Sequence, residues 1–288
     1  MGEPEVLAFL SDLTSRGRVS YSTQMQALSA LLFLYRDVLR RPLGDLRGLV
    51  RASGPRRLPI VLTQAEVARI LGHLEGDAWL VAMVLYGGGL RLTEALTLRV
   101  KDVDLERREI RVRRGKRKKD RVTVLPARLR APFMAHLSRV REQHRRDRAD
   151  GGGRVELPGA LERKAPAWAV AWPWQWVFPA HRRYRDRATG ERRRHHLNAT
   201  GVQRAVARAV HASEIGKRAT CHTFRHSFAT HLLEAGYDIL TVQEGAGVDI
   251  DAAGVLVLLR VEPHGGLLGE GFSTARAYPL GKLSRRPS

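Results

Sequence analysis

The chain has 288 residues and carries 50 Lys and Arg against 29 Asp and Glu, a formal net charge of +21. A basic excess of this size favours a polyanionic partner, most often nucleic acid. The single cysteine, Cys221, excludes an internal disulfide framework, and no apolar run reaches the roughly 18 residues that a membrane-spanning helix needs. Because the N-terminus also lacks a basic, apolar leader, the sequence predicts a cytoplasmic protein with no membrane partner.

Two helical patterns, over residues 4–15 and 22–40, open the chain. The second places one broad set of apolar side chains on a single face: Leu28, Leu31, Leu32, Tyr35 and Leu39. Two helices cannot cover such a face by themselves, so we expect further helices or another domain to pack on it. Residues 42–59 are rich in Pro and Gly, and this composition predicts an exposed basic linker.

A capping box at Thr63 and Glu66 begins the next predicted helix, and the almost wholly apolar residues 79–86 predict a core helix. Three glycines, residues 87–89, then interrupt the chain just before Arg91. They permit a tight turn and a close approach to a phosphate. They do not match the G-x-x-x-x-G-K-[ST] pattern of a nucleotide-binding P-loop, so that kind of site is not expected.

From Glu109 the apolar period changes to two. Ile110 and Val112, a turn at Gly115, and then Val122 and Val124 predict a β-hairpin with one apolar face. The tip of this hairpin is densely cationic, as a solvated basic turn often is. Residues 132–148 follow as a basic amphipathic helix, which ends near a run of three glycines.

Residues 154–200 concentrate tryptophan and arginine. Four of the five tryptophans fall within nine residues, at Trp168, Trp172, Trp174 and Trp176, and seven arginines follow between residues 182 and 194. Aromatic side chains interleaved with basic ones suit stacking on unpaired bases. A small aromatic core explains the same pattern, and the residues alone leave both interpretations open.

Residues 221–236 predict a helix whose apolar stripe is formed by Phe224, Phe228 and Leu232 and which Thr220 or Thr223 could cap. Three interpretations of its polar residues compete. The first is a plain amphipathic helix. The second is a metal pair at His222 and His226, although the glutamate of an H-E-x-x-H site is absent. The third is an anion site, since His222 and Arg225 are neighbours at a positive helix end.

A family resemblance favours the third interpretation. Residues 222–236, H-T-F-R-H-S-F-A-T-H-L-L-E-A-G, closely resemble the second conserved box of the tyrosine recombinases, the phage integrase family. Residues 85–96, L-Y-G-G-G-L-R-L-T-E-A-L, resemble the first box, and residues 115–121, G-K-R-K-K-D-R, resemble the hairpin that bears the catalytic lysine. Residues 157–200 are similar to the insertion found in the integron integrase branch.

The resemblance implies a mainly α protein with a small β component, an α+β fold, arranged as a C-shaped clamp around DNA. A partial helical, SAM-like core-binding domain is expected over residues 1–44 and a linker over 45–61. The tyrosine recombinase catalytic domain would cover 62–244, and a divergent tail 245–288.

The resemblance also implies phosphoryl transfer without a metal ion or cofactor. Arg91 and Arg225 would clamp the non-bridging oxygens of the scissile phosphate, and Lys116 would protonate the leaving 5′-oxygen. His222 would hydrogen-bond the phosphate or assist proton transfer. The residues expected to contact DNA are Trp174, Trp176, His195, His196, Arg114 and Lys119.

Two departures from the family pattern bear on activity. The core-binding domain normally has helices before the one at residues 4–15, so the N-terminus looks truncated. After Glu244 the family pattern ends in a second histidine and the nucleophilic tyrosine, whereas residues 245–257 contain neither. Tyr278 is the one tyrosine further along the chain and is therefore a remote candidate nucleophile. A frame disruption or a decayed gene is the plainest explanation.

Three functions follow as alternatives. The first is an integron-integrase-like recombinase that acts as a homotetramer on double-stranded sites and on folded single-stranded hairpins, in the bacterial cytoplasm at the nucleoid. The second is a non-catalytic remnant that binds DNA without cutting it. The third is an RNA- or single-strand-binding protein that uses the Trp/Arg region.

Overall fold

The structure, a computed structural model, describes residues 2–17, 19–44, 46, 48–50, 52, 59–113 and 120–236. It divides the chain into two compact units, Met1–Leu58 and Pro59–Ser288. Helices dominate both units, and two small antiparallel sheets lie in the second. The predicted fold class, mainly α with small β, is confirmed. None of the helices in the described ranges is long and apolar enough to cross a membrane.

In the first unit, helix α1 spans Glu3–Ser15 and helix α2 spans Tyr21–Phe33, with a π-helical turn over Leu34–Val38. The fully buried amide of Gln24 holds this unit together. Its nitrogen donates to the carbonyl oxygens of Leu10 and Val50 at 3.0 and 2.7 Å, and its oxygen accepts the N–H of Ala52 at 2.8 Å. A buried amide with its donors and acceptor satisfied fixes both helices against the segment that follows them.

The predicted apolar face of residues 22–40 is only partly buried. Tyr35 lies in the small core with Val6 and Leu10, but Leu32 and Leu39 remain 39% and 49% exposed. The π-helical turn bears on Leu39, because its wider turn rotates the residues after it away from the register of a continuous α-helix.

Within its described residues, the second unit contains the four predicted helices and three more. Their bounds are α3 Gln64–Gly72, α4 Gly76–Gly88, α5 Leu92–Leu96, α6 Arg130–Ala149, α7 Leu161–Lys164, α8 Ala199–Ala212 and α9 Cys221–Glu234. The four predicted helices are α3, α4, α6 and α9, each within a few residues of its expected bounds. The capping box of α3 is formed as predicted: Thr63 N–H donates to Glu66 at 2.7 Å, and Glu66 N–H donates to Thr63 Oγ1 at 3.2 Å.

Helix α4 is the centre of the core. Every residue from Leu80 to Gly88 is buried, and α8 and α9 both pack against it. The glycines at its end allow close packing: a Cβ on Gly87 would collide with the Pro126 ring, and one on Gly88 would lie 3.1 Å from the Val124 carbonyl oxygen. Gly89 then adopts φ +62, a left-handed conformation that glycine permits and that ends the helix just before Arg91.

The first sheet has the order β1–β2–β3, with β1 Val103–Asp104, β2 Glu109–Val112 and β3 Arg121–Val124. The predicted hairpin is present, but its apolar face is wrong on the returning strand. Ile110 pairs with Thr123, so Thr123 faces the core while Val122 is 47% exposed. The Thr123 hydroxyl donates to the Gly88 carbonyl oxygen at 2.8 Å, and this hydrogen bond fixes the register against α4.

The second sheet is the hairpin of β4, Pro179–Arg185, and β5, Arg192–His196. Buried ion pairs hold it to α6 and α7. Arg194 donates through two nitrogens to Asp147 at 2.6 and 2.8 Å, and Arg193 contacts Glu162 at 2.7 Å and Glu191 at 2.8 Å. Since Arg193, Arg194 and Asp147 are all more than nine-tenths buried, part of this arginine-rich segment serves the fold itself.

Candidate active site

Arg91 occupies the N-cap position of α5, immediately after the glycine turn. Its backbone N–H donates to Glu94 Oε2 at 2.8 Å, and its guanidinium Nη1 donates to Glu94 Oε1 at 2.8 Å. The side chain stays 28% exposed. The short helix therefore presents Arg91 at the surface with one edge of the guanidinium fixed by a carboxylate one turn away.

Glu94 contacts three arginines that are distant from one another in sequence. Besides the hydrogen bonds from Arg91, Glu94 accepts hydrogen bonds from both terminal nitrogens of Arg121, at 3.0 and 2.7 Å. Its Oε2 also lies 3.6 Å from Nη1 of Arg225. These four side chains together carry two net positive charges in a largely buried cluster. We call Arg91, Glu94, Arg121 and Arg225 the arginine cluster.

The ionised form of Glu94 is strongly favoured. Burial by itself raises the pKa of this carboxyl, but hydrogen bonds from Arg121 and from the Arg91 backbone, together with the positive charges, outweigh it and lower the pKa to about 2. The carboxylate is therefore charged at neutral pH and holds the guanidinium groups in place electrostatically.

Arg225 lies deepest in the cluster, with 4% of its surface exposed. It comes from the first turns of α9 and donates through Nη1 to the carbonyl oxygen of Gly89 in the glycine turn. Burial, followed by the charge of Arg91, lowers the pKa of Arg225 to about 10, so that it is still protonated at neutral pH. The glycine turn thus positions both arginines, one through its carbonyl and one through the helix that follows.

His222 stands one turn before Arg225, at the N-terminus of α9, and its side chain is exposed. At that end the Thr220 N–H donates to Thr223 Oγ1 at 2.9 Å, which caps the helix as predicted. His222 and Arg91 line one cavity of about 320 Å³ together with parts of α5, α8 and α9. The structure therefore brings three of the predicted catalytic residues, Arg91, His222 and Arg225, to one place.

The remaining predicted residues of the site are not all described. Lys116, Arg114 and Lys119 fall between β2 and β3 within residues 114–119, and Tyr278 falls within residues 237–288; both ranges lie outside the described residues. The roles expected for these four residues stay predictions.

Hydrogen bonds to other parts of the second unit anchor helix α9. Ser227 Oγ accepts the N–H of Leu62 at 2.9 Å, and Lys217, just before the helix, donates to the Val61 carbonyl oxygen at 3.2 Å. A buried hydrogen bond of 2.9 Å joins His231 Nδ1 to the hydroxyl of Tyr86 on α4. The helix that bears His222 and Arg225 is thereby fixed to the start of the second unit and to the core.

Three of the four tryptophans of residues 154–200 divide into two groups. Trp176 is buried, 7% exposed, and its indole N–H donates to the Arg194 carbonyl oxygen at 3.2 Å. The guanidinium carbon of Arg99 lies 3.4 Å from the centroid of its ring. This environment is that of an aromatic core. In this structure Trp176 has no exposed ring face on which a base could stack.

Trp174 and Trp168 form the second group. Their rings stack with centroids 5.1 Å apart and an interplanar angle of 19°, Trp168 is 44% exposed, and Lys101 Nζ lies 3.9 Å from the Trp174 ring. Trp174 itself is half-buried. An exposed aromatic surface beside an ammonium group has the character that base stacking requires.

His195 and His196 lie at the end of β5, beside Trp176. Their ring centroids are 4.0 Å apart, and His196 lies edge-on to Trp176 at 5.3 Å. His195 is exposed and His196 half-buried, and burial lowers the pKa of His196. Of the four predicted DNA contacts in this region, His195 is therefore exposed, Trp174 and His196 are half-buried, and Trp176 is buried.

Glu94 and Arg121 were not among the predicted site residues. The signal was present, because Glu94 is the one acidic residue between Asp77 and Asp102 and lies three residues after Arg91. Spacing of this kind places the two side chains on neighbouring positions of a helical turn. Nothing in the sequence pattern indicated that Arg121 would reach the same carboxylate from the hairpin.

Comparison with known proteins gives consistent matches. The sequence matches the Phage integrase family over residues 61–248 and the family described as Phage integrase, N-terminal SAM-like domain, over residues 1–45. An "Integrase/recombinase" of Escherichia coli is 50% identical over 247 residues, which cover 86% of this chain and 73% of that protein, and one of Pseudomonas aeruginosa matches equally well.

A solved structure shares the fold at lower identity. The XerH site-specific recombinase, bound to a palindromic difH substrate in a post-cleavage complex, is 18% identical with a TM-score of 0.57, over 88% of this chain and 67% of that one.

Proposed function

Because this chain belongs to the phage integrase family of tyrosine recombinases, we propose that it is a site-specific DNA recombinase in which Arg91 and Arg225 bind the scissile phosphate. The observation that carries the proposal is that Arg91 and His222 line one cavity, while Glu94 contacts both Arg91 and the buried Arg225. Guanidinium groups suit a phosphodiester because they donate to two oxygens at once and stay charged.

The reaction proposed is phosphoryl transfer through a 3′-phosphotyrosyl intermediate. Arg91 and Arg225 neutralise the negative charge that develops on the non-bridging oxygens, where preorganised donors stabilise the transition state most. His222, at the positive end of α9, hydrogen-bonds the same group. Lys116 remains the proposed general acid for the leaving 5′-oxygen.

The integron integrase branch is a finer proposal, and residues 157–200 support it. They comprise short helices and the β4–β5 hairpin, with Trp168 and Trp174 stacked on each other and Trp168 exposed. On this proposal the protein also binds folded single-stranded sites, where unpaired bases are available for stacking, and it acts as a homotetramer on DNA. The domain bounds proposed are those expected from the sequence, with the catalytic domain over residues 62–244.

A second candidate function rests on the sequence after Glu244. Residues 245–277 contain no tyrosine, so Tyr278 is the one tyrosine available beyond the second box. Under this alternative the chain binds recombination sites and does not cut them. Cleavage requires a tyrosine oxygen in line with the phosphorus at about 3–3.5 Å, and the proposal of an inactive protein holds unless Tyr278 reaches that position.

Binding is tested with a site selected from a random-sequence duplex pool. We expect tight binding. The logarithm of the association constant should fall linearly with the logarithm of the salt concentration, with a slope of about 0.9 for each phosphate contact. Arg91→Gln should weaken the binding. An affinity that barely changes with salt, or no enriched sequence at all, would contradict the proposed function.

Cleavage is tested on the same selected site with a nick beside the scissile phosphate, so that a covalent adduct accumulates. No adduct on a denaturing gel is expected if the chain is the non-catalytic form. An adduct that maps to Tyr278 and disappears in Tyr278→Phe would establish the active recombinase instead.

A further inference from the structure

Arg121 is the member of the arginine cluster that comes from the β2–β3 hairpin. It begins strand β3, and its side chain is 11% exposed. Both terminal nitrogens donate to Glu94, Nη1 to Oε1 at 3.0 Å and Nη2 to Oε2 at 2.7 Å. This two-point geometry is the strongest and most directional arrangement of an arginine with a carboxylate.

The same two oxygens of Glu94 also serve the phosphate-binding arginines. Oε1 accepts Nη1 of Arg91 at 2.8 Å, and Oε2 lies 3.6 Å from Nη1 of Arg225. A carboxylate has about four lone-pair positions, and Arg121 occupies one on each oxygen. The number of Glu94 lone-pair positions that remain for Arg91 and Arg225 therefore depends on the presence of Arg121.

We infer that Arg121 is a positioning residue of the phosphate site, which acts through Glu94 to set how strongly Arg91 and Arg225 are available to a bound phosphodiester. The inference rests on the proposed function, in which those two arginines bind the scissile phosphate. Arg121 itself does not touch the ligand. Without it, the buried carboxylate would draw the guanidinium groups of Arg91 and Arg225 toward itself and away from the cavity.

The test uses a probe with one phosphodiester, the dinucleotide thymidylyl-(3′→5′)-thymidine, and its uncharged methylphosphonate counterpart. Their affinities for the full chain are measured by NMR titration. The dissociation constant of the methylphosphonate divided by that of the phosphodiester reports the contribution of the single phosphate charge, and we call this quotient the ratio. A role in folding alone would not change this ratio, because both dinucleotides would lose affinity together.

Arg121→Gln is expected to lower the ratio by about fivefold or more, as coupling between neighbouring groups commonly does. Arg121→Lys should also lower it, because an ammonium group keeps the charge but cannot form the two parallel hydrogen bonds. Arg111→Gln is the matched control. Arg111 is exposed on the same hairpin and pairs with Val122, which places it on the face opposite Arg121, so its ratio should equal that of the wild type.

A double variant makes the coupling explicit. In a Glu94→Gln background, where no carboxylate competes for Arg91 and Arg225, adding Arg121→Gln should leave the ratio unchanged. An unchanged ratio in both folded Arg121 variants, or an additive effect in the Glu94→Gln background, would overturn the inference. If Arg121→Gln does not fold, the ratio measured for Arg121→Lys decides. A wild-type ratio of one would mean that the protein does not recognise the phosphate charge, and it would overturn the phosphate site and the inference together. Binding to the selected duplex tests the proposed function separately.

Discussion

Arg99 lies over Trp176, with its guanidinium carbon 3.4 Å from the ring centroid, and donates to the carbonyl oxygens of Trp174 and Glu156 at 2.7 Å each. Burial lowers the pKa of this arginine to about 10. The cation, the indole and the two backbone carbonyls together attach the tryptophan-rich segment to the 3₁₀ turn at Val100–Asp102. Trp176 is therefore part of the framework of this segment.

Trp176→Ala should destabilise the protein by about 3–5 kcal/mol, because it empties a buried aromatic site and removes the ring that lies against the Arg99 guanidinium. Chemical denaturation at pH 7 measures the change. Trp168→Ala, at a site 44% exposed, serves as the control and should cost clearly less. Equal losses for the two variants would contradict the assignment of Trp176 to the core.

Trp174→Ala should weaken binding to a bulged hairpin by about 1–3 kcal/mol, the usual value of stacking one base on an aromatic ring. Binding to a plain duplex should not change. Fluorescence anisotropy with both DNAs at one salt concentration measures the difference. A similar loss for both would mean that Trp174 supports the fold and does not stack on a base.

Asp147→Ala should destabilise the protein by about 3–5 kcal/mol, because it leaves the buried guanidinium of Arg194 without its carboxylate. The matched control is Asp150→Ala. Asp150 pairs with Arg183 at 3.1 Å but is 57% exposed, and exposed pairs contribute little. Thermal unfolding of the two variants should separate them clearly; similar melting temperatures would refute the structural role given to the Asp147–Arg194 pair.

Glu94 gives the stability a defined dependence on pH. Its pKa of about 2 in the folded protein lies below the ordinary value of 4.5, so its charged form stabilises the native state above pH 4.5. That contribution, on the order of 3 kcal/mol, is lost as the pH falls from 4.5 toward 2. The difference in unfolding free energy between wild type and Glu94→Gln should therefore shrink across this range. A difference that stays constant with pH would contradict the prediction.

Gly87→Ala should destabilise the protein by about 1–3 kcal/mol, because the added methyl group meets the Pro126 ring in a closely packed core. Gly201→Ala is the opposite case. Gly201 lies in α8, and a Cβ added there would have no atom within 4 Å, so alanine should stabilise the helix by about 0.5–1 kcal/mol. Urea unfolding of both variants tests the contrast, which a loss at Gly201 would contradict.

The helices were predictable because their periodicity and caps are local properties of the chain. Thr63 with Glu66, and Thr220 at the start of α9, needed no knowledge of the rest of the fold. The face of strand β3 was not predictable in this way. Val122 and Val124 looked like the buried side, but the register that Thr123 sets with Gly88 turns them outward.

The candidate site divides along the same line. Arg91, His222 and Arg225 were identified from the motifs that contain them, and the structure brings them together. The link between them was not identified, because it depends on a carboxylate that meets Arg121 from the hairpin and Arg225 from α9. Those contacts join residues 27 and more than a hundred positions apart, which no local pattern encodes.

The hydrogen bonds from Leu62 to Ser227 and from Lys217 to Val61 have a practical consequence for anyone who excises the second unit. A fragment that starts at the first capped helix, at Thr63, would discard both backbone partners while it kept every predicted catalytic side chain. The helix of His222 and Arg225 would then have lost two of its fixed points. The shortest useful fragment therefore begins no later than Val61, two residues before Thr63, where the capping box marks the first helix of the second unit.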